Sequence, residues 1–190
     1  ARRQLSRHSN GRFIRPGHDF TMFFIFGSPR SGTTLLAQSL DSHSSLVIPH
    51  ETDFIIPMAF LLDRIADPGI GRELLMKLIT NSAGFPQSLG EYLSAQTIQE
   101  LVYSCEYAAG ALLNCLYGEV ARQAGAQWAG DKSPNDLLFL RILVKVGGLT
   151  PDTKIVHLVR DVRDVMVSLN EQGWVSDVDA YFPRFWANSN

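Results

Sequence analysis

The sequence predicts an α/β fold in three layers, with a central, mostly parallel sheet and helices on both faces. Three observations carry this expectation. A short apolar run, residues 22–26 (MFFIF), ends in the glycine-bounded turn GSPRSG and passes at once into a helix-forming stretch. A second run, 154–159 (KIVHLV), gives way at Arg160 to the helical pattern DVRDVMVSL. Between them, residues 53–123 are mostly helical in pattern and offer few turn clusters suited to hairpins. Strands separated by helices are joined by crossovers, and crossovers make parallel sheets covered on both faces.

Each element follows in order. After the first strand and its loop, Thr33 and Thr34 are suited to cap a helix on which Leu35, Leu36 and Leu40 recur on one face. A second strand, Leu46 to Ile48, stops at Pro49, so His50 and Glu51 lie just beyond its end. The helical middle breaks at Asp67–Gly71 and Asn81–Gly84, and its apolar residues Phe54, Ile55, Ile56, Met58, Phe60 and Leu61 read as core packed against the sheet. A third strand around Trp128 leads into Asp131, Lys132 and Ser133, and Pro134 then suits the first turn of a helix through Leu137, Leu140 and Ile142. The turn at Pro151–Asp152 opens the fourth strand. Asp161 caps the helix after it and Asp164 holds the capping-box position. His157, inside that strand, and Trp128 read as core residues, and His43 as a loop residue. Ligands of such sheets bind beyond the carboxyl ends of the strands. Arg30, Glu51, Lys132 and Arg160 each follow a strand and are expected to converge on one crevice.

Composition narrows the classes. A chain of 190 residues, 45% of them hydrophobic, suits one domain with a sizeable core. The net charge of −2 argues against a surface built for nucleic acid, and no 18-residue apolar run exists to span a membrane. Arg2, Arg3, Arg7, Arg12 and Arg15 all precede the first acid, Asp19, which marks residues 1–19 as a basic arm, solvated or left over from a targeting peptide. Residues 20–190 form the domain. Cys105 and Cys115 lie in an apolar stretch without a CxxC pair and read as core thiols in a reducing compartment, giving a cytoplasmic location. The chain opens without Met and stops at Asn190, directly after the aromatic stretch of Tyr181, Phe182, Phe185 and Trp186, which fits a fragment lacking its C-terminal part.

The chemistry concentrates in the first loop. Gly27 and Gly32 have the spacing of the phosphate loop GxxxxGK[ST], whose backbone N–H groups and following helix cradle phosphate oxygens. Thr33 stands at the lysine position, Thr34 at the hydroxyl position, and the cation, Arg30, lies inside the loop. The fold expected is therefore P-loop-like. A nucleotide kinase or NTPase normally needs that lysine, with a magnesium ion, at the β- and γ-phosphates.

These residues resemble the sulfotransferases that use 3′-phosphoadenosine 5′-phosphosulfate (PAPS). SPRSGTTLL is similar to their 5′-phosphosulfate loop and VRDVRDVMVSL to their 3′-phosphate segment, over residues 22–54 and 127–172. Arginine in the first motif resembles the tyrosylprotein and bacterial branches more than the cytosolic one. The resemblance implies that Arg30, Ser31, Gly32, Thr33 and Thr34 hold the 5′-phosphosulfate, with Arg30 stabilising charge as the sulfuryl group leaves. It implies that Arg160 and Ser168 hold the 3′-phosphate. Physical chemistry agrees, because a cation at the positive end of a helix is misplaced unless an anion sits beside it; pairing of Arg160 with Asp164 at i,i+4 is the structural alternative.

A proton acceptor is also required. PHETDF resembles the GEET-like stretch of the tyrosylprotein branch, which implies Glu51 as general base, with His50 as runner-up. Lys132, in DKSP, resembles a strand-end lysine placed near the phosphosulfate, and Asp131 is expected to orient it. The reading is a PAPS-dependent sulfotransferase acting by in-line attack on a hydroxyl or amine acceptor, releasing adenosine 3′,5′-bisphosphate without a metal. The alternatives are a P-loop nucleotide kinase or NTPase, and a noncatalytic nucleotide-binding domain, which the early stop at Asn190 favours because the resembled family continues through further helices.

Overall fold

The structure, a computed structural model, describes residues 22–175. The basic arm of residues 1–19 and the aromatic stretch Tyr181–Trp186 lie outside the described residues.

The chain alternates as expected. The elements are β1 (Phe23–Gly27), α1 (Thr33–Asp41), β2 (Leu46–Val47), α2 (Ile55–Arg64), α3 (Pro68–Thr80), α4 (Ala95–Ser104), α5 (Ala109–Ala124), β3 (Trp128–Lys132), α6 (Leu140–Lys145), β4 (Lys154–Leu158) and α7 (Val162–Glu171). Short 3₁₀ turns fill 85–87, 89–91 and 134–139, so Pro134 opens a 3₁₀ turn and the α-helix begins only at Leu140. Among the described residues the four strands are parallel, in the order β2-β3-β1-β4.

β1 is central and its five residues are all buried. Side chains alternate faces along a strand. Phe24 and Phe26 join the larger core with Ile55, Met58, Leu75, Ile98, Leu116 and Tyr117 from α2 to α5. Phe23 and Ile25 face the other way, onto Ala37, Leu36 and Leu40 of α1. Each buried phenylalanine contributes roughly 1.5–3 kcal/mol, so β1 anchors both layers. Phe54, Ile55, Ile56 and Met58 are core, as the sequence predicts, whereas Phe60 is 36% exposed and Leu61 only half-buried.

Four expectations are corrected. Leu35 is 71% exposed, because the 3.6-residue repeat turns Leu36, Ala37 and Leu40 toward the sheet instead. Thr33 and Thr34 are not caps: the N-cap is Gly32, at φ 100°, with no side-chain cap bond. His157 is exposed, as are Ile155 and Val156, on β4, an edge strand among the described residues. Cys105 and Cys115 are joined in a disulfide that ties the end of α4 to α5, so they are not free core thiols, and the compartment argument built on them lapses. Trp128 is half-buried against the smaller core, and His43 sits in the loop after α1. Among the described residues no helix is long and apolar enough to cross a membrane.

Candidate functional site

The glycine loop forms at the carboxyl end of β1. A Cβ at Gly27 would lie 2.8 Å from the Leu158 carbonyl oxygen and 2.9 Å from Ser31 Oγ, so only glycine lets the loop close against β4. Ser31 ties the turn, its N–H and hydroxyl both donating to the Ser28 carbonyl at 3.1 and 2.7 Å. Gly32 then takes a left-handed conformation that glycine adopts without strain. With no side chain capping α1, its first-turn amides remain available to an anion.

Arg30 itself has φ 68°, a left-handed conformation costly for a residue with a Cβ. Its position is held from the other candidate segment. Arg30 Nε donates to Ser168 Oγ at 3.0 Å, and Arg160 Nη1 donates to the Arg30 carbonyl at 3.0 Å. The Arg30 guanidinium also lies 5.7 Å from the centre of the Trp174 ring, which is exposed. Arg160 reaches Asp164 as well, at 3.8 Å, the i,i+4 pairing named as the alternative. Both are well exposed, so that pair is weak. Asp161 caps α7 through the Arg163 N–H at 2.9 Å, and Arg163 also holds its carboxylate down to about 2. The apolar stripe Val162, Val165, Met166 and Leu169 keeps α7 in register, which sets Ser168 one position from the buried Leu169 and facing Arg30.

Glu51 and Lys132 meet. Lys132, at the end of β3, is only 3% exposed, so it is no surface lysine. Its Nζ pairs with Glu51 Oε1 and donates to Thr34 Oγ1 at 3.2 Å, which puts it between the glycine loop and the candidate base. His50 is exposed on the preceding residue. Asp131 does not orient Lys132. In the parallel register Asp131 aligns with Phe24 and Lys132 with Ile25, so the two side chains leave the strand on opposite faces. Asp131 Oδ1 accepts from Thr52 Oγ1 at 2.8 Å and from Tyr117 OH at 2.5 Å, all three buried. Burial raises the pKa of both Asp131 and Tyr117. Asp136, in the turn after β3, is pushed up to about 8 by burial and then by the charges of Asp131, Asp53 and Glu51.

Thus Arg30, Arg160 and Ser168 come together, as do Glu51, Lys132 and Thr34. Thr52, Tyr117, Asp136 and Trp174 are the site neighbours that the sequence reading misses. Thr52 had a signal, since it follows Glu51 in the same stretch; Tyr117 had none, lying within an ordinary apolar helix.

A model described as sulfotransferase family matches residues 23–183, and the chain belongs to that family. Among solved structures it is similar to the sulfotransferase domain of the Synechococcus PCC 7002 olefin synthase, at 25% identity and TM-score 0.52, over 98% of this chain and 62% of that one. A sulfotransferase domain from the curacin biosynthetic pathway aligns at 24% identity and TM-score 0.49, over 90% of this chain and 60% of that one. The chain thus spans less than two thirds of either domain's length. No match was found among curated proteins.

Proposed function

We propose that the chain carries the donor-binding and catalytic centre of a PAPS-dependent sulfotransferase, which passes a sulfuryl group to a hydroxyl or amine acceptor. The observation that carries the reading is the junction at Arg30. The glycine loop and the Arg160–Ser168 segment follow different strands, β1 and β4, and Arg30 of the loop bonds both Ser168 and Arg160. Such a junction suits a ligand with a phosphate group at each end.

Each residue then has a role. The α1 amides and Thr34 take the 5′-phosphate oxygens, and Arg160 and Ser168 take the 3′-phosphate. The 3′-phosphate competes with Arg30 for Ser168, which releases the guanidinium toward the glycine loop, where charge builds as the S–O bond to the leaving phosphate breaks. Cations and amides placed there stabilise the transition state more than the ground state. The acceptor oxygen or nitrogen attacks sulfur from the opposite side, its proton passes to the Glu51 carboxylate, and adenosine 3′,5′-bisphosphate departs. Lys132, bridging Thr34 and Glu51, holds base and loop in one frame.

Calorimetric titration with adenosine 3′,5′-bisphosphate, AMP and magnesium-ATP tests the reading. Micromolar binding of the bisphosphate without magnesium, and much weaker binding of AMP, is the expected result. Preference for magnesium-ATP, or binding of none of the three, would overturn it.

A further inference from the structure

The Glu51 segment has little regular structure of its own to hold it. Residues 51–54 belong to neither β2 nor α2, and Asp53 adopts φ 53°, a left-handed conformation. Phe54 at its end is buried in the core, and a pair of adjacent rungs ties the residues before it to β3. Thr52 bonds Asp131 on the face toward α5, and Glu51 bonds Lys132 on the face toward α1. The first rung is buried: Thr52 and Asp131 are each 1% exposed and Tyr117 is wholly covered. The second is partly open: Lys132 is buried, whereas the Glu51 side chain is 31% exposed. A buried, closed set of hydrogen bonds fixes the backbone that carries it, whereas the Glu51–Lys132 pair holds only the far end of the Glu51 side chain.

Building on the proposed sulfuryl transfer, we infer that Thr52, Asp131 and Tyr117 are positioning residues, a buried clamp that sets the Glu51 carboxylate beside Lys132 at the mouth of the glycine loop. The Asp131 carboxylate gathers two hydroxyl donors on one oxygen, Oδ1. Thr52 carries the constraint to the next residue along the backbone, and Tyr117 carries it from α5, the helix packed across β3. Thr52 Oγ1 and the Tyr117 hydroxyl also lie 3.3 Å apart, so the three groups close a ring. The clamp touches none of the reacting atoms and acts only through where Glu51 stands.

The test follows conversion of PAPS to adenosine 3′,5′-bisphosphate against a mixed panel of alcohols, phenols and amines, alongside calorimetric binding of the bisphosphate. Thr52→Val keeps the shape and removes the donor. It is expected to lower kcat roughly ten- to a hundredfold, the cost of a misplaced catalytic group, while KM for PAPS and bisphosphate affinity stay within about twofold. Thr52→Ser restores the rate, and Tyr117→Phe lowers it in the same direction by less. In a Glu51→Gln background Thr52→Val produces no further loss, because a clamp acting through Glu51 has nothing left to place. Wild-type kcat in Thr52→Val, or an equal loss with and without Glu51, would overturn the inference while leaving sulfuryl transfer standing. A wild-type chain that neither binds the bisphosphate nor consumes PAPS would remove the reading itself, and the clamp with it; binding without turnover would remove Glu51 as base and the clamp equally.

Discussion

Arg30 is the residue on which the proposed chemistry turns. Its left-handed backbone costs on the order of 1–3 kcal/mol, and the compensating contacts are the Arg160 bond to its carbonyl and the Ser168 bond to its Nε. Strain of this kind persists only where surrounding structure over-determines it, and here the surroundings are the Arg160–Ser168 segment. Arg30→Ala is expected to lower kcat by roughly 10²- to 10³-fold, as loss of one transition-state donor does, with less effect on bisphosphate affinity. Single-turnover assays with saturating PAPS measure this directly, and near-normal turnover would take Arg30 out of the mechanism. Arg30 was legible in the sequence, because a cation inside a glycine loop that lacks its usual lysine is a local pattern. The convergence of Arg30 with the Arg160 segment was expected from their places at strand ends, but the direct contact with Ser168 was not, since it depends on the adjacency of β1 and β4.

At the scale of elements, the distinction is between period and place. Alternating apolar runs reveal that strands exist, and all four strands were readable. An apolar run does not say what covers the faces of its strand, so the exposure of His157 on β4 had no sequence signal. The same holds for Cys105 and Cys115, whose pairing depends on how α4 meets α5. Two predictions belong here. Arg160 leaves β4 beside the glycine loop at the start of α7, and a charged hydrogen bond contributes about 1.5–3 kcal/mol. Arg160→Ala is therefore expected to weaken adenosine 3′,5′-bisphosphate binding roughly ten- to a hundredfold while leaving AMP binding nearly unchanged, a comparison calorimetry makes in one series. Equal losses for both ligands would place Arg160 elsewhere than at the 3′-phosphate. The disulfide spans a separation of 10 residues, for which the chain-entropy estimate is about 2.5–3 kcal/mol. Replacing both cysteines with serine should lower the urea midpoint by a corresponding amount, and an unchanged midpoint would mean that the bridge does not form in solution.

Over the whole molecule, the polar site is set into the core rather than laid on it. Asp131 and Asp136 bring two carboxyl groups under the ends of the strands, and in each the Oδ2 atom is buried without a hydrogen-bond partner. An arrangement of this kind costs stability, and the cost depends on pH. Burial, together with the neighbouring charges, raises Asp136 from the ordinary carboxylate range to about 8, so between about pH 4 and pH 8 the folded chain holds a proton that the unfolded chain releases. Stability from this group is therefore fully present below the unfolded pKa and is lost as pH rises through about 8; Asp131, shifted in the same direction by its own burial, adds to the trend. Asp136→Asn keeps the shape and removes the titration. Denaturant unfolding from pH 5 to 8 should show the wild type losing stability relative to Asp136→Asn, by up to about 1.4 kcal/mol per pH unit for one full proton. Parallel pH dependences in the two proteins would show that Asp136 ionises as an ordinary carboxylate, and that the charge beneath the site is accommodated by the fold at no cost.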